Sequence, residues 1–462
     1  MQRRRAHGNP LLTLVAVVAL AALSVSCVAG IGGGTGAEDS LDGDLAAFAT
    51  APDESSIPGL ADRIGESGNT RYVPYLVDLL RLFSSPLAAE HVRSAFTELT
   101  GVELEERYSA AHLRAASWLL ETTTDPGSDY IEWKAALYAD RLDEPLGALI
   151  AQIRDPVLAA RLTWGGVGVG EIPELNNPKL IAGAEAAFLT DEETVFGAVQ
   201  GAQARAYPLR FMDFHELAND TLNGEDIVVV NCTLCRSGTM FRRTVDGRRL
   251  DFLTSGLLLN SNKLMVDAQA STLWLQLSGE AIAGPLEGAI LDQLFLSTIR
   301  WGDWLAEHPA TEVLAVPQSG AALRALEQGL DVYEPGAAYG RYYEDKEGVR
   351  FPIVMPPDVF PPKALVATLV LDGLGLAVEV EALEEVALQV LRVGDRLVVA
   401  VSTRAGARFY LGSPGPADPV DLVAGELALT LPDGSELPRL QSSQSFWFAW
   451  HALHPDTDWW PR

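Results

Sequence analysis

Two cysteines separated by two residues are the side chains of this sequence best suited to chemistry. Cys232 and Cys235 follow the apolar run of residues 227–230, and the turn-forming residues Ser237 and Gly238 come after them. Two such cysteines can form a disulfide of small loop size, act as a redox dithiol, or supply two soft ligands to one metal. The spacing alone leaves these three alternatives open.

A histidine of the same region extends the metal alternative. His215 is the only histidine between His112 and His308. With Cys232 and Cys235 it forms a candidate Cys2His set that would suit copper or another soft metal. A structural zinc site usually has four protein ligands, and the sequence holds no second cysteine pair to complete one. The candidate redox or metal residues are therefore Cys232, Cys235 and His215.

Further polar and aromatic residues are candidates for lining a pocket together with the cysteine loop. Most of them lie on a glycine-rich, weakly periodic stretch, where Asn and Asp side chains commonly bond the backbone of turns, and that structural role is the alternative. No Ser-His-Asp order and no glycine-rich phosphate loop identifies a catalytic residue, so the sequence leaves open whether the protein is an enzyme. The candidate pocket residues are Tyr207, Asn219, Ser255, Asn260, Asn262, Asp267, Trp274 and Gln276.

Length and charge set limits on the fold and on partners. The chain has 462 residues, more than one hydrophobic core usually supports, so two or three domains are expected. It carries 62 acidic and 34 basic residues, which gives a formal net charge of -28. Such a surface repels phosphate backbones, and we therefore expect no nucleic acid partner.

The N-terminus has the features of an export signal. Three arginines at positions 3 to 5 precede an apolar run over residues 11–25, which is short for a membrane span. Cys27 follows the sequence LSVS, which resembles a bacterial lipoprotein processing site. We predict a signal segment over residues 1–27, lipidation at Cys27, and an exported protein held at the cell envelope by its lipid. Ordinary signal cleavage and an uncleaved anchor are the alternatives.

A tether and a helical domain are predicted next. Residues 28–52 are rich in glycine and acidic residues and predict a flexible tether. Residues 53–165 have apolar residues at helical spacing, as in the stripe of Leu76, Leu79 and Phe83. Helix pairs stacked in the manner of a solenoid are the simplest arrangement, and this domain would serve as scaffold or docking surface.

The remaining sequence is β-like and contains an internal repeat. The pattern W-x-x-W-x-x-x-H-P-x-T occurs at residues 301–311 and again at 447–457. We interpret each Trp pair as part of a helix that the histidine caps and the proline stops. The prediction is an α+β fold, in which the helical region is followed by a duplicated β-rich domain with short helices. The first copy covers residues 166–315, and a degenerate second copy without cysteines covers 316–462.

Several short blocks resemble one protein family. RAYPL at 205–209, HELAND at 215–220 and CTLC at 232–235 occur in the order found in bacterial proteins that carry the domain of unknown function 3179. The resemblance covers residues 180–315, and the helical region and second copy resemble what longer members carry. It implies no established activity. The sequence departs from the family pattern at three positions, which hold Thr233, Arg236 and Leu275.

These observations predict an exported, lipid-anchored protein whose Cys-x-x-Cys loop serves a redox-related or a metal- or ligand-binding pocket. Two alternatives belong to other classes of protein. One is a structural or interaction lipoprotein in which Cys232 and Cys235 form a disulfide. The other is an enzyme that uses the thiol of Cys235 on a small substrate.

Overall fold

The computed structural model describes residues 36–413 and 422–462. The predicted signal segment, the predicted lipidation site Cys27 and residues 28–35 of the predicted tether lie outside the described residues. Among the described helices, none combines the length and the apolar character that crossing a bilayer requires.

The first part of the described chain is helical and packs around one apolar core. Short 3-10 turns at Glu54–Ser56 and Thr70–Tyr72 lead into the second and third helices. The helices are α1 (Gly36–Thr50), α2 (Ile57–Glu66), α3 (Val73–Leu82), α4 (Pro86–Thr100), α5 (Tyr108–Glu121), α6 (Asp129–Arg141), α7 (Glu144–Ile150) and α8 (Pro156–Arg161).

Both ends of α4 have clear local causes. The Ser85 side chain accepts a hydrogen bond from the Ala88 N–H, and Pro86 occupies the first turn, where its missing N–H leaves no bond unmade. Gly101 ends the helix with φ 71°, a left-handed conformation that glycine adopts without steric cost. Both boundaries therefore follow from the local sequence.

The first helix corrects the prediction of a flexible tether over residues 28–52. From Gly36 to Thr50 the chain forms α1, which contacts α6. Leu41, Leu45 and Phe48 recur at helical spacing and are buried in the helical core. Burial of this apolar stripe therefore outweighs the glycine and acidic content on which the tether prediction rested.

The rest of the described chain is β-rich, so the fold is α+β, as predicted, with a propeller-like arrangement of small sheets. The 3-10 turn Gly183–Glu185 follows its third strand. The elements up to Leu314 are β1 (Leu162–Trp164), β2 (Leu175–Asn176), β3 (Leu180–Ala182), β4 (Thr194–Gln200), β5 (Gln203–Pro208), α9 (Leu209–His215), β6 (Leu217–Leu222), β7 (Glu225–Cys232), β8 (Ser237–Arg242), β9 (Thr244–Val245), β10 (Arg248–Arg249), β11 (Phe252–Leu259), β12 (Asn262–Asp267), β13 (Leu273–Leu275), β14 (Ala281–Ala283), β15 (Gln293–Leu294), β16 (Ser297–Arg300), α10 (Trp301–Glu307) and β17 (Glu312–Leu314).

The C-terminal elements form two further sheets. One has the strand order β26-β18-β19-β27, and the other has the order β20-β21-β22-β25-β24-β23. These elements are α11 (Gly320–Glu327), α12 (Gly340–Glu344), β18 (Leu365–Leu371), β19 (Leu374–Glu379), α13 (Val380–Val386), β20 (Leu388–Val393), β21 (Arg396–Ser402), β22 (Ala407–Leu411), β23 (Val423–Ala424), β24 (Ala428–Thr430), β25 (Glu436–Leu440), β26 (Ser443–Phe446), α14 (Trp447–Leu453) and β27 (Asp458–Trp460).

Two sheets hold the elements around the cysteines. The sheet β15-β8-β7-β6-β2 carries both cysteines at the end of β7 and in the turn that follows. The second is the sheet β1-β11-β12-β13-β14. Its first strand, β1, directly follows α8, the last helix of the helical part. A third sheet has the order β16-β4-β5-β17-β3, and β9 and β10 form a separate hairpin.

Two stretches of the chain share one order of elements. In the first, the hairpin β4–β5 is followed by α9 and by β6, β7 and β8, and β16–α10–β17 returns to the hairpin's sheet. In the second, β18–β19 is followed by α13 and by β20, β21 and β22, and β26–α14–β27 returns in the same way. β17 runs parallel to β5, as β27 does to β19.

The Trp helices have the capping arrangement that the sequence predicts. His308 and His454 are the C-cap residues of α10 and α14. Trp304 Nε1 donates to Thr311 Oγ1 at 2.9 Å, and the same bond joins Trp450 and Thr457 at 2.9 Å. The hydroxyl thus satisfies the indole N–H, which a buried Trp requires.

The helix after β5 ends earlier than predicted. The sequence suggests a short helix over residues 211–219, whereas α9 covers Leu209–His215 and β6 begins at Leu217. The cause is Glu216, which caps α9 in the left-handed conformation with φ 60°. This single residue turns the chain from helix into strand and determines where the side chains on either side of it lie.

Candidate functional site

Cys232 and Cys235 are joined by a disulfide, one of the three alternatives left open by the sequence. Cys232 is the last residue of β7 and pairs with Ser237, the first residue of β8. Cys235 lies in the four-residue turn between them, which Arg236 closes with φ 46°. Since β8 follows directly, Cys235 does not lie at a helix N-terminus.

Two N–H donors point at the two sulfurs. The backbone N–H of Lys263 lies 3.4 Å from Cys232 Sγ, and Asn262 Nδ2 lies 3.2 Å from Cys235 Sγ. The Ser237 hydroxyl is 3.5 Å from Cys235 Sγ but lies closer to Gln276 Oε1, to which it donates. Donors directed at sulfur stabilise a thiolate, so the same groups would favour the charged form of each cysteine after reduction.

His215 does not join the cysteines, which corrects the predicted Cys2His set. Its Nδ1 bonds the Pro173 carbonyl and its Nε2 bonds the Tyr333 hydroxyl, both at 2.6 Å. Burial lowers the pKa of His215, which favours the neutral imidazole. With both nitrogens occupied, the ring has no lone pair left for a metal shared with the sulfurs.

The described residues contain one group of three metal-type ligands, and it lies elsewhere. Glu307, His308 and Glu426 bring one ligand atom each within 4.8 Å of one another. Both carboxylates are ion-paired with Arg408, and Glu426 also pairs with Arg439. Guanidinium groups thus take the positions a cation would occupy, and we assign this cluster to structure.

A buried ion pair lies beside the disulfide, and the sequence analysis missed it. Lys263 Nζ donates to Glu216 Oε2 and, at 3.1 Å, to Thr254 Oγ1, while Glu216 Oε1 accepts from Thr233 Oγ1 at 3.0 Å. Burial lowers the pKa of Lys263, and the Glu216 carboxylate opposes that shift. A lysine inside the buried strand β12 was the available signal, since such a charge requires a partner.

The ion pair and Cys232 line one cavity of about 400 Å³, here called the disulfide cavity. Its lining includes three cationic side chains and one carboxylate, a formal charge of three minus one, or +2. The cavity lies where the helical part, the first β-rich part and the segment after α12 meet. Its lining residues are Arg81, Gly165, Val167, Ile172, Glu216, Cys232, Thr233, Leu234, Thr254, Gly256, Leu257, Leu258, Lys263, Tyr339, Arg350 and Phe351.

Aromatic rings and backbone hold the two arginines of the cavity. Arg81 of α3 donates through Nε and Nη2 to the Trp164 carbonyl at 3.1 and 2.8 Å, and its guanidinium lies over the Trp164 ring. The exposed Arg350 lies 5.3 Å from the ring centroid of Tyr339 and makes no ion pair with a described residue. Stacked guanidinium groups keep their edges available for further hydrogen bonds.

A β-bulge shapes another wall. The pairing of β11 with β12 shifts register between Thr254 and Leu258, and Gly256 there has φ 80°. A Cβ at Gly256 would lie 2.3 Å from the Val167 carbonyl oxygen, so only glycine fits. Ser255 braces the bulge, because its hydroxyl donates to the Leu264 carbonyl at 2.6 Å and accepts from the Leu257 N–H.

Three other candidate pocket residues lie near the disulfide. Asn262 contacts Cys235, and Gln276 Oε1 accepts from the Ser237 hydroxyl at 2.9 Å. Asn260 Oδ1 accepts from the Val354 N–H at 2.5 Å, which ties the turn before β12 to the segment after α12. These three residues contact the disulfide turn or the segment after α12, and they do not line the disulfide cavity.

The remaining candidates have structural partners of their own. Tyr207 donates to Asp220 at 2.8 Å, and Asn219 makes two bonds with the backbone of Phe252. Trp274 Nε1 donates to Asp267, whose carboxylate also accepts from two backbone N–H groups of its own turn. The candidates that the structure sets apart from the cavity are Tyr207, Asn219, Asp267 and Trp274.

Comparison with known proteins places these elements in one family. The model of the family described as "Protein of unknown function (DUF3179)" matches residues 169–457. The match includes the disulfide, the ion pair and the second set of sheets, and it extends well beyond the blocks on which the sequence resemblance rested. No curated protein and no solved structure matches the chain. Since the matched region is more than half of the sequence, the chain belongs to the DUF3179 family of proteins of unknown function.

Proposed function

We propose that the protein is an exported, lipid-anchored binding protein that takes a small acidic molecule in the disulfide cavity. One observation carries the proposal. The cavity wall joins Cys232, the Glu216–Lys263 pair and two aromatic-stacked arginines in a space of about 400 Å³. Ligand pockets typically measure about 300–1,000 Å³ and combine apolar walls with a few placed polar groups.

The charge of the cavity supports an acidic ligand. The chain as a whole has a formal net charge of -28, whereas the cavity lining carries more positive than negative groups. A guanidinium can bind a carboxylate through two parallel hydrogen bonds, which adds geometric selectivity to the charge attraction. Arg350, the exposed one of the two arginines, is the residue that would make this contact at the entrance.

The walls support a ligand with an apolar body. Tyr339 and Phe351 line the cavity together with Leu257 and Leu258, and the glycines at 165 and 256 leave space beside them. An aromatic acid would place its ring against these side chains and its carboxylate near Arg350. Benzoate is the simplest molecule with both features, and it is the probe we choose.

Binding of benzoate by isothermal titration calorimetry tests the proposal. We expect Arg350→Gln to weaken benzoate binding about tenfold, the usual effect of losing a charge-assisted hydrogen bond. Arg248→Gln is the matched control, because Arg248 is also exposed and lies on β10 away from the cavity. Absence of benzoate binding, or equal effects of the two substitutions, would refute the proposal.

Thiol–disulfide exchange is the second candidate function, and the lining position of Cys232 favours it. A small thiolate entering the cavity would attack Cys232 Sγ, form a mixed disulfide and release Cys235 as a thiolate that Asn262 stabilises. A second thiol would then release Cys232. If the disulfide is purely structural, small thiols will reduce the native protein no faster than it unfolds.

Export, the lipid anchor and the internal duplication belong to the same proposal. The shared order of elements and the matching Trp–Thr bonds support a duplication in which the second copy lost its cysteines. The helical part would act as a solenoid-like docking surface for other envelope proteins. Incorporation of radiolabelled fatty acid, abolished in Cys27→Ser, tests the anchor.

A further inference from the structure

A second cavity, of about 490 Å³, shares the disulfide turn with the first. Cys232, Thr233 and Leu234 line the disulfide cavity, whereas Arg236, from the same turn, lines the second one. Residues of β4 and β16 meet residues of β18 and β26 there, so both sets of sheets contribute. We call it the inter-sheet cavity.

Arg236 is a half-buried cation that makes no ion pair within the described part of the chain. Its guanidinium lies 5.0 Å from the ring centroid of Tyr343. Burial lowers the pKa of Arg236, and Tyr343, Asp213 and Glu384 oppose this shift; Glu384 also lines the inter-sheet cavity. By contrast, the buried Arg205 pairs directly with Asp220. An anion bound beside Arg236 would give it the direct partner that it lacks among the described residues.

A second arginine enters the cavity from the corresponding turn of the other stretch. Arg404 lies between β21 and β22, as Arg236 lies between β7 and β8, and it also has a left-handed backbone, with φ 62°. Its side chain is exposed and makes no ion pair with a described residue. Arg300 lines the cavity as well, but Glu192 and Asp303 neutralise it.

A buried amide forms part of the wall. Gln444, on β26, is 7% exposed, and its Oε1 is enclosed by protein atoms next to Gly406. The amide therefore shapes the inter-sheet cavity, and the charged contacts to a ligand come from the arginines.

We propose that the inter-sheet cavity binds a small oxyanion, with inorganic phosphate as the simplest example. The anionic oxygens accept from Arg236 and Arg404. The site is separate from the disulfide cavity, and the proposal does not depend on the function assigned to that cavity.

Calorimetry with inorganic phosphate and the purified full chain tests the proposal. We expect Arg236→Gln and Arg404→Gln each to weaken phosphate binding about tenfold or more. Arg248→Gln is the matched control, because Arg248 is exposed and lines neither cavity, and it should not change phosphate affinity.

A stability measurement guards against a simple folding defect. Arg404 is exposed, so without phosphate Arg404→Gln should melt at the same temperature as the parent protein. With phosphate, only the parent protein should gain stability. No phosphate binding by the parent protein, or equal loss in Arg248→Gln, would overturn the proposal.

Discussion

Lys263 contacts Cys232 through its backbone, with its N–H 3.4 Å from the sulfur, while its side chain is paired with Glu216. One residue therefore connects the disulfide to the buried charges of the same cavity. The bond from the Lys263 N–H to the sulfur positions β12, and β12 positions the Lys263 ammonium group. A change in the disulfide should therefore affect the ion pair, and a change in the ion pair should affect the disulfide.

Lys263→Met should destabilise the protein by about 3–5 kcal/mol, because it leaves the buried Glu216 carboxylate without its partner. Glu216→Gln combined with Lys263→Met removes both charges and should recover most of that loss. Unfolding by urea, followed by circular dichroism, gives the free energies. Equal stability of the single and double variants would contradict a buried, mutually dependent pair.

Removal of the disulfide in Cys232→Ser with Cys235→Ser should lower the free energy of unfolding by about 2 kcal/mol, the chain-entropy value for so short a loop. The two sulfurs are bonded to each other, so thiol reagents should detect no free thiol from this pair in the unreduced protein even after it is unfolded. Guanidinium unfolding and thiol counting in a Cys27→Ser background provide the measurements. Two reactive thiols before reduction would show that the disulfide is absent.

Gly256→Ala should destabilise the protein more than Gly247→Ala. Both glycines have positive φ, 80° and 75°, which costs an alanine about 1–2 kcal/mol. At Gly256 the new Cβ would also lie 2.3 Å from the Val167 carbonyl, whereas nothing lies within 4 Å at Gly247. Thermal unfolding of the two variants isolates the collision. Equal losses would mean that the bulge can shift without cost.

The stability of the protein should fall between about pH 4 and pH 7 through Asp213. Burial raises the pKa of this carboxyl from 3.8 to about 6, against the donors Tyr343 and Asn231. A folded-state pKa above the unfolded one gives stability that is complete below the unfolded value and is lost as the pH rises through about 6.

The difference between the two pKa values of Asp213 corresponds to about 3 kcal/mol. The variant Asp213→Asn has a side chain that stays neutral, so it should lack this loss. The difference in free energy of unfolding between Asp213→Asn and the parent protein should therefore change by about 3 kcal/mol between about pH 4 and pH 7. Urea unfolding at several pH values measures it. Parallel stability curves for the two proteins would show that Asp213 titrates as it does in the unfolded chain.

Sequence reasoning succeeded where local rules decide the structure. The start of α4 at Pro86, its end at Gly101 and the two capped Trp helices all follow from short-range chemistry. The disulfide was one of three alternatives, and only the approach of β8 to β7 decides among them. The prediction of a flexible tether was wrong because it rested on composition and did not consider the apolar stripe of α1.

The site residues that were missed come from distant parts of the chain. Arg81 lies on α3, Lys263 on β12 and Arg350 after α12, and no spacing in the sequence relates them. Sequence reasoning selected His215 as a site residue, whereas the residue that lines the disulfide cavity is its neighbour Glu216. The left-handed backbone at Glu216 directs the imidazole toward Tyr333 and the carboxylate toward Lys263, and a sequence pattern does not reveal that reversal.

Cys232, at the start of the turn between β7 and β8, lines the disulfide cavity, and Arg236, at its end, lines the inter-sheet cavity. Only three residues separate them. Two compartments therefore share a single, cross-linked piece of backbone. An occupant of either compartment that prefers one arrangement of this backbone must alter the affinity of the other compartment. Thermodynamic reciprocity requires the same factor in both directions.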